Sequence, residues 1–281
     1  MLLGGQVFPK TKDPEEMADL LVQKGFQCSA LPYGFRPSMT QELAAFRKAF
    51  ESRNLVIAEV GAWSNPHHPD SGKAAYSMQF MIDSLAVAEE VGARCCVNII
   101  GSLATGNNHP GNFSKDFYDS CVEIARKVID AVNPKRAKMC FEIEPFNFLD
   151  SPDSYIQFLY DVDRKALGIH LDPFNMIHSP RQYYDSANEF RKAIQKLAPY
   201  GIVSMHLKDL KQEYNTPNTQ IRETMVGKGE MDIRALFEAM NKYLPADTPL
   251  LIEHLKTEEE YDEAVANARR IAASAGLSFG R

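Results

Sequence analysis

The sequence predicts an α/β protein folded as a single (β/α)8 barrel spanning residues 1–281. Three observations predict it. Short apolar segments alternate with helical ones from end to end, the pattern of parallel strands covered on both faces. Eight strand-then-helix units succeed one another with no long linker or low-complexity segment between them. The glycine fingerprint of an open dinucleotide-binding sheet is missing, and "GKG" at 227–229 is too short to count.

The first unit opens with "LLGGQVF". The segment "KDPEEMADLLVQKG" then reads as a helix with Asp13 as N-cap, Pro14 at the first helical position, Glu16 completing a capping pattern and Gly25 as stop. "FQCSALP" is a strand, 40–53 a helix and "LVIAEVGAW" a strand. Over 72–91, Met78, Met81, Ile82 and Leu85 fall at helical spacing and Gly92 ends the helix. Next come "RCCVNII", a helix near 114–132, "KMCFEIEP", and "DSPDSYIQFLYDV", opened by Ser151 and Pro152. "LGIHLD", a helix near 181–197, "GIVSMHLKD", "DIRALFEAMNKYL", "PLLIEHL" and "TEEEYDEAVANARRIAASAG" complete the eight units.

Composition excludes several classes of function. With 44% hydrophobic and 24% charged residues, the chain has a soluble globular balance. A net charge of −6, with no basic run or basic-aromatic stripe, argues against a nucleic-acid partner. No apolar run is long enough to span a bilayer and the first residues lack a secretory pattern, so a cytoplasmic protein is expected. Cys28, Cys95, Cys96, Cys121 and Cys140 form no C-x-x-C pair and read as reduced core residues.

The stretch "FEIEPFNF" (141–148) places Glu142 and Glu144 inside an otherwise apolar strand, where an unpartnered carboxylate is costly. In a (β/α)8 barrel the functional residues gather at the C-terminal ends of the strands. The fifth strand is expected to end at Glu144, the sixth at Asp172, the seventh at His206 and the eighth at Glu253. Residues two apart share a face, so Glu142 is expected one layer beneath Glu144, and His170 beneath Asp172. Three carboxylates in one mouth require a strong positive charge. Three oxygen donors and an imidazole suit one divalent metal ion: Mn²⁺, with Mg²⁺, Co²⁺ and Zn²⁺ as alternatives. Glu144 is thus read as a ligand and Glu142 as its buried neighbour.

Blander readings stand beside these. Asp172 can cap the following helix, Asp150 reads as a cap or turn residue, and His206 can be a satisfied core histidine. His254, of opposite parity to Glu253, is assigned to packing against the outer helices. Trp63, His67 and His68, in "WSNPHHPD", lie on a solvated loop or lid the pocket. Arg222 and Lys208 are candidate anion-binding residues for a substrate. Lys228 sits in a loop read as a turn before an Asp232 N-cap, and the acidic run 258–260 as a helix start.

The segments "AEVGAWSNPHHPD", "EPFNF", "HLDPFNM", "HLKD", "VGKGEMD" and "IEHL" occur in an order that resembles the xylose-isomerase-like TIM-barrel superfamily of sugar and sugar phosphate isomerases and epimerases. The chain's pattern is close to those of ketose 3-epimerases, hydroxypyruvate isomerases and inosose-pathway enzymes. The resemblance covers essentially the whole chain. It implies metal-binding roles for Glu144 (through "EPFN"), Asp172, His206 and Glu253, with Glu144 and Glu253 as the pair that exchanges a substrate proton. It also implies a small carbohydrate substrate, and a homo-oligomer is compatible with it. Asn175 stands where epimerases of this type commonly have a histidine, which changes a contact to a substrate oxygen.

The expected chemistry is movement of a proton beside a carbonyl through a metal-stabilised enediolate. The same site can serve a lyase or dehydratase acting on a keto-inositol or keto-glycoside. An endonuclease-IV-like apurinic nuclease is disfavoured by Asn175 and by the lack of an Asp-x-His after His206. A non-catalytic sugar-binding protein has no need of two acid/base carboxylates at a metal.

Overall fold

The structure is a computed structural model that describes residues 1–215 and 218–280; Thr216, Pro217 and Arg281 lie outside the described residues. Eight parallel strands close into a barrel. In chain order they are β1 (Leu2–Gly4), β2 (Cys28–Ala30), β3 (Val56–Gly61), β4 (Cys95–Ile99), β5 (Lys138–Glu142), β6 (Leu167–Leu171), β7 (Ile202–Leu207) and, after a two-stranded antiparallel excursion by β8 (Asp209–Gln212) and β9 (Ile221–Thr224), β10 (Pro249–Ile252). Around the barrel each strand pairs with its neighbour in sequence, and β10 closes the ring between β7 and β1. The eight expected units are therefore all present. No helix among the described residues is long and apolar enough to cross a membrane.

Local chemistry explains the helices. In α1 (Pro14–Lys24) the Asp13 side chain accepts from Glu15 N, and Gly25 takes the left-handed conformation at φ 69°. Glu16 does not close a capping box; it reaches back to accept from Lys10 N at 2.9 Å and Thr11 N at 3.0 Å. Helices α2 (Thr40–Ser52), α3 (Ser71–Val91), α4 (Lys115–Val132) and α5 (Pro152–Val162) come after their strands as expected, and Gly92 ends α3 at φ 80°. The helix expected near 181–197 is two, α6 (Pro180–Tyr184) and α7 (Ser186–Leu197), because the chain leaves helical geometry at Asp185. Asp232 caps α8 (Ile233–Tyr243) by accepting from Ala235 N. Thr257 and Glu260 form a capping box at the start of α9 (Glu258–Ser274), so the acidic run is a helix start.

The main apolar core lies between strands and helices, with Phe141, Phe158, Phe190 and Phe237 fully buried. All five cysteines are free and buried. A polar staple crosses this core near the end of β5. Tyr155 of α5 is fully buried, and its hydroxyl donates to Phe141 O at 2.6 Å and lies 3.1 Å from Gly168 O, tying α5 to β5 and β6 together. Tyr155→Phe should lower unfolding free energy by about 0.5–1.5 kcal/mol by removing the hydroxyl's hydrogen bond. Denaturant melts would read it, and an unchanged midpoint would show that the staple carries no stability.

Candidate active site at the mouth of the barrel

The site is built where β5, β6, β7 and β10 end. Glu142 closes β5, Asp172 follows β6, His206 lies near the end of β7 and Glu253 follows β10. One ligand atom from each of these four residues lies within 4.8 Å of the others. His206 Nδ1 is 3.1 Å from Glu142 Oε1 and 2.7 Å from Glu253 Oε2. Lys208, the first residue after β7, reaches the same space; its ammonium lies 2.6 Å from Asp172 Oδ2, 2.8 Å from Glu253 Oε1 and 3.3 Å from Glu223 Oε2.

Here the grouping differs from the expected one by one residue. Glu142, not Glu144, joins Asp172, His206 and Glu253. The strand stops two residues earlier than the sequence suggests, because the chain after Glu142 turns back on itself. Glu144 N donates to Leu149 O at 3.0 Å, and Leu149 N donates to Asn147 Oδ1 at 2.8 Å. Glu144 remains nearby, half-buried at the edge of the cluster. Ser179, not Asp172, caps α6, and Asp172 instead holds the turn after β6. Its Oδ1 accepts from Phe174 N at 2.8 Å, while Oδ2 faces Lys208.

The electrostatics of this mouth are those of an excess of carboxylates. Burial, helped by Glu142 and Asp172, pushes the Glu144 carboxyl up to about 8. Burial likewise pushes Asp172 up to about 7, although Lys208 opposes it. Burial disfavours charge on Glu253 too, but His206 and Lys208 together hold it well below the usual carboxylate range. For His206 burial acts downward, and Glu253 and Glu59 outweigh it to raise the imidazole well above its ordinary value. A divalent cation among these donors would relieve the strain that Asp172 and Glu144 record, and the hard oxygen-rich donor set fits one.

The other expected site residues divide. Trp63 walls the site, its ring 6.2 Å from that of His206. Asn175 donates to Ile143 O at 3.1 Å and lies 3.4 Å from Glu142 Oε1, so it braces the turn that follows Glu142. Lys208 enters the site, but its ammonium is taken up by carboxylates. Arg222 does not come to the site: on β9 it alternates with Glu223, is exposed, and pairs with Glu213. His67 is also elsewhere, bonded to Ile100 O at 3.2 Å and Ser120 Oγ at 3.1 Å and packed on Phe117. His68 accepts from Asp70 N at 2.9 Å and belongs to the loop. That loop is anchored rather than lid-like, since Asn65 Nδ2 donates to Ser102 O at 2.7 Å. Lys228 pairs with Glu263, and its loop is gathered by Asp209, which accepts from Gly227 N and Gly229 N. Gly229 is needed there because a Cβ would come 2.3 Å from Asp209 Oδ1.

Three residues near the site escape the sequence reading. His254 is not packed against helices; it is exposed, holds φ 59° and lies 2.8 Å from Glu223 Oε1. Glu223 comes from the hairpin, which periodicity does not reveal. Glu59 of β3 lies 3.3 Å from His206 Nε2. A signal for it exists: it is a carboxylate between Ala58 and Val60 in a buried strand, the same anomaly that marks Glu142.

Comparison with solved structures places this architecture among known barrels. A D-psicose 3-epimerase with D-tagatose from Clostridium cellulolyticum H10 matches at a TM-score of 0.70 and 14% identity, covering 99% of this chain and 100% of that one. A xylose isomerase-like TIM barrel protein from Mycobacterium smegmatis, in complex with magnesium, matches at 0.64 and 16%, covering 92% and 86%. A probable 3-DHS dehydratase from Bacillus anthracis matches at 0.64 and 14%, covering 95% and 97%. At these identities the likeness shows the fold. A comparison with curated protein sequences finds no match. Residues 18–271 match the family described as xylose isomerase-like TIM barrel, and that match, over most of a chain that closes the eight-stranded ring, establishes that the chain belongs to the xylose isomerase-like TIM barrel family.

Proposed function

We propose that the protein is a divalent-metal-dependent isomerase or epimerase of a small sugar, sugar phosphate or keto-sugar. The observation that carries this reading is the convergence of Glu142, Asp172, His206 and Glu253 on one point, beside a fourth carboxyl, Glu144, whose proton affinity burial raises while that of Glu253 is lowered. Two carboxyls whose surroundings drive their proton affinities apart are suited to act as base and acid. Glu142, Asp172, His206 and Glu253 would hold the cation, with Mn²⁺ as the first choice. When bound, the cation supplies Lewis-acid polarisation of a carbonyl and its neighbouring hydroxyl.

The chain's own residues do the rest. The Glu253 carboxylate takes the proton from the carbon beside the carbonyl, leaving an enediolate. The Lys208 ammonium, fixed by Asp172 and Glu253, faces the negative charge that develops on oxygen. Glu144, at the edge of the cluster, returns a proton from its own side. Trp63 presents an apolar wall to the sugar's carbon face and keeps water from it.

A second reading uses the same base. If the carbon next to the enediolate carries a leaving group, Glu253 initiates an elimination, and the structural likeness to a dehydratase makes this worth testing. The decisive experiment is incubation of chelator-stripped and Mn²⁺-loaded protein with a panel of ketoses and inososes in D₂O. Deuterium at the carbon beside the carbonyl, in a product of unchanged formula and only with metal, is the expected result. Loss of water from the product would move the assignment to the lyase. Metal-independent turnover, or no exchange with any member of the panel, would overturn both.

A further inference from the structure

We infer that Glu59 is the positioning residue for His206: it accepts the Nε2 proton and so leaves Nδ1 free to face the cation site. The inference rests on the metal reading of Glu142, Asp172, His206 and Glu253.

Glu59 lies on β3, 5% exposed, and offers no face to a sugar. A buried carboxylate is costly unless it is paired, yet among the described residues no lysine or arginine ion-pairs with it. Its neighbours are two histidines, with Oε1 at 3.3 Å from His206 Nε2 and Oε2 at 3.6 Å from His170 Nδ1. The second is not a hydrogen bond, because Oε2 has no such partner and His170 Nδ1 is engaged with Ser204 Oγ at 2.7 Å. The polar work of Glu59 is therefore directed at His206.

The imidazole of His206 is gripped from both sides. Nε2 meets Glu59, while Nδ1 meets Glu142 and Glu253, two of the proposed ligands. A neutral imidazole can give a cation only the nitrogen without a proton. With Glu59 accepting from Nε2–H, that nitrogen is Nδ1, the one aimed at the site. The His170 ring packs edge-on against that of His206, 4.1 Å away at 74°. Carboxylates in this outer position set both the tautomer and the basicity of a metal-ligating histidine. Glu59 is not among the four residues that converge at the proposed cation site, although it also clusters with His170 and His206, and it acts through His206.

Glu59→Gln tests this, because glutamine keeps the shape but can present its amide N–H₂ to Nε2 and favour the opposite tautomer. Mn²⁺ affinity, measured by calorimetry on folded variant and wild type, should fall roughly 10–100-fold. Sugar KM at saturating Mn²⁺ should stay at the wild-type value, which a general loss of structure would not allow. In wild type loaded with Zn²⁺, the ¹⁵N shifts of His206 should show the proton on Nε2, a measurement that holds even if the variant does not fold. Unchanged Mn²⁺ affinity in Glu59→Gln, a proton on Nδ1 in wild type, or a second metal ion lost on substituting Glu59 would each overturn the inference. Wild type that binds no divalent ion would instead overturn the metal reading beneath it.

Discussion

Glu253→Gln should lower turnover by ~10²–10⁴-fold, the range of a general base, while leaving most of the metal bound. Glutamine preserves the length of the side chain and one oxygen donor. It removes the charge that His206, at 2.7 Å, and Lys208, at 2.8 Å, hold ionised. The damage is therefore expected in the proton transfer rather than in assembly of the site. Two readouts belong together: product formation, and deuterium entering recovered substrate from D₂O. Both should collapse in parallel at saturating Mn²⁺. If the fully metal-loaded variant exchanged and turned over like wild type, Glu253 would not be the base.

The second large effect separates two glutamates that lie two positions apart. Glu142→Gln should act on Mn²⁺ binding rather than on proton transfer, so that activity falls at limiting Mn²⁺ and excess Mn²⁺ restores part of it. Glu144→Gln should leave metal affinity near wild type and cut turnover by ~10²–10⁴-fold as a lost general acid. The reasoning is positional. Glu142 Oε1 lies 3.1 Å from His206 Nδ1, within the cluster. Glu144 sits beyond the end of β5, in a turn pinned by Leu149 O and Asn147. Titrating Mn²⁺ against activity for both variants distinguishes them. The reverse pattern, with metal lost from Glu144→Gln alone, would return the ligand role to Glu144.

How much of this was legible in the sequence depends on the range over which each feature is decided. The strand and helix units were readable because their causes are local. Apolar runs, proline at first helical positions, and Gly25 and Gly92 at helix ends lie within a few residues of what they determine. Asp172, His206 and Glu253 were readable as a group because barrel geometry carries consecutive strand ends to one mouth. The strand-five carboxylate that meets them is Glu142 rather than Glu144, because strand alternation describes a chain only while it remains a strand. The hydrogen bond from Glu144 N to Leu149 O, which ends that regime, has no periodic signature.

The sequence by itself determined the barrel, its helices and most of the residues that gather at its mouth, since periodicity, capping and parity act over short stretches of chain. Tertiary structure alone decided which groups meet. Glu59 reaches His206 across 147 positions and Lys208 reaches Glu253 across 45. The hairpin of β8 and β9 delivers Glu223 to Lys208 and His254 while turning Arg222 outward. The physical reason is that the protonation of a buried carboxylate is governed by the charges within a few ångströms of it. The closing of the barrel, not the order of residues along the chain, chooses those neighbours.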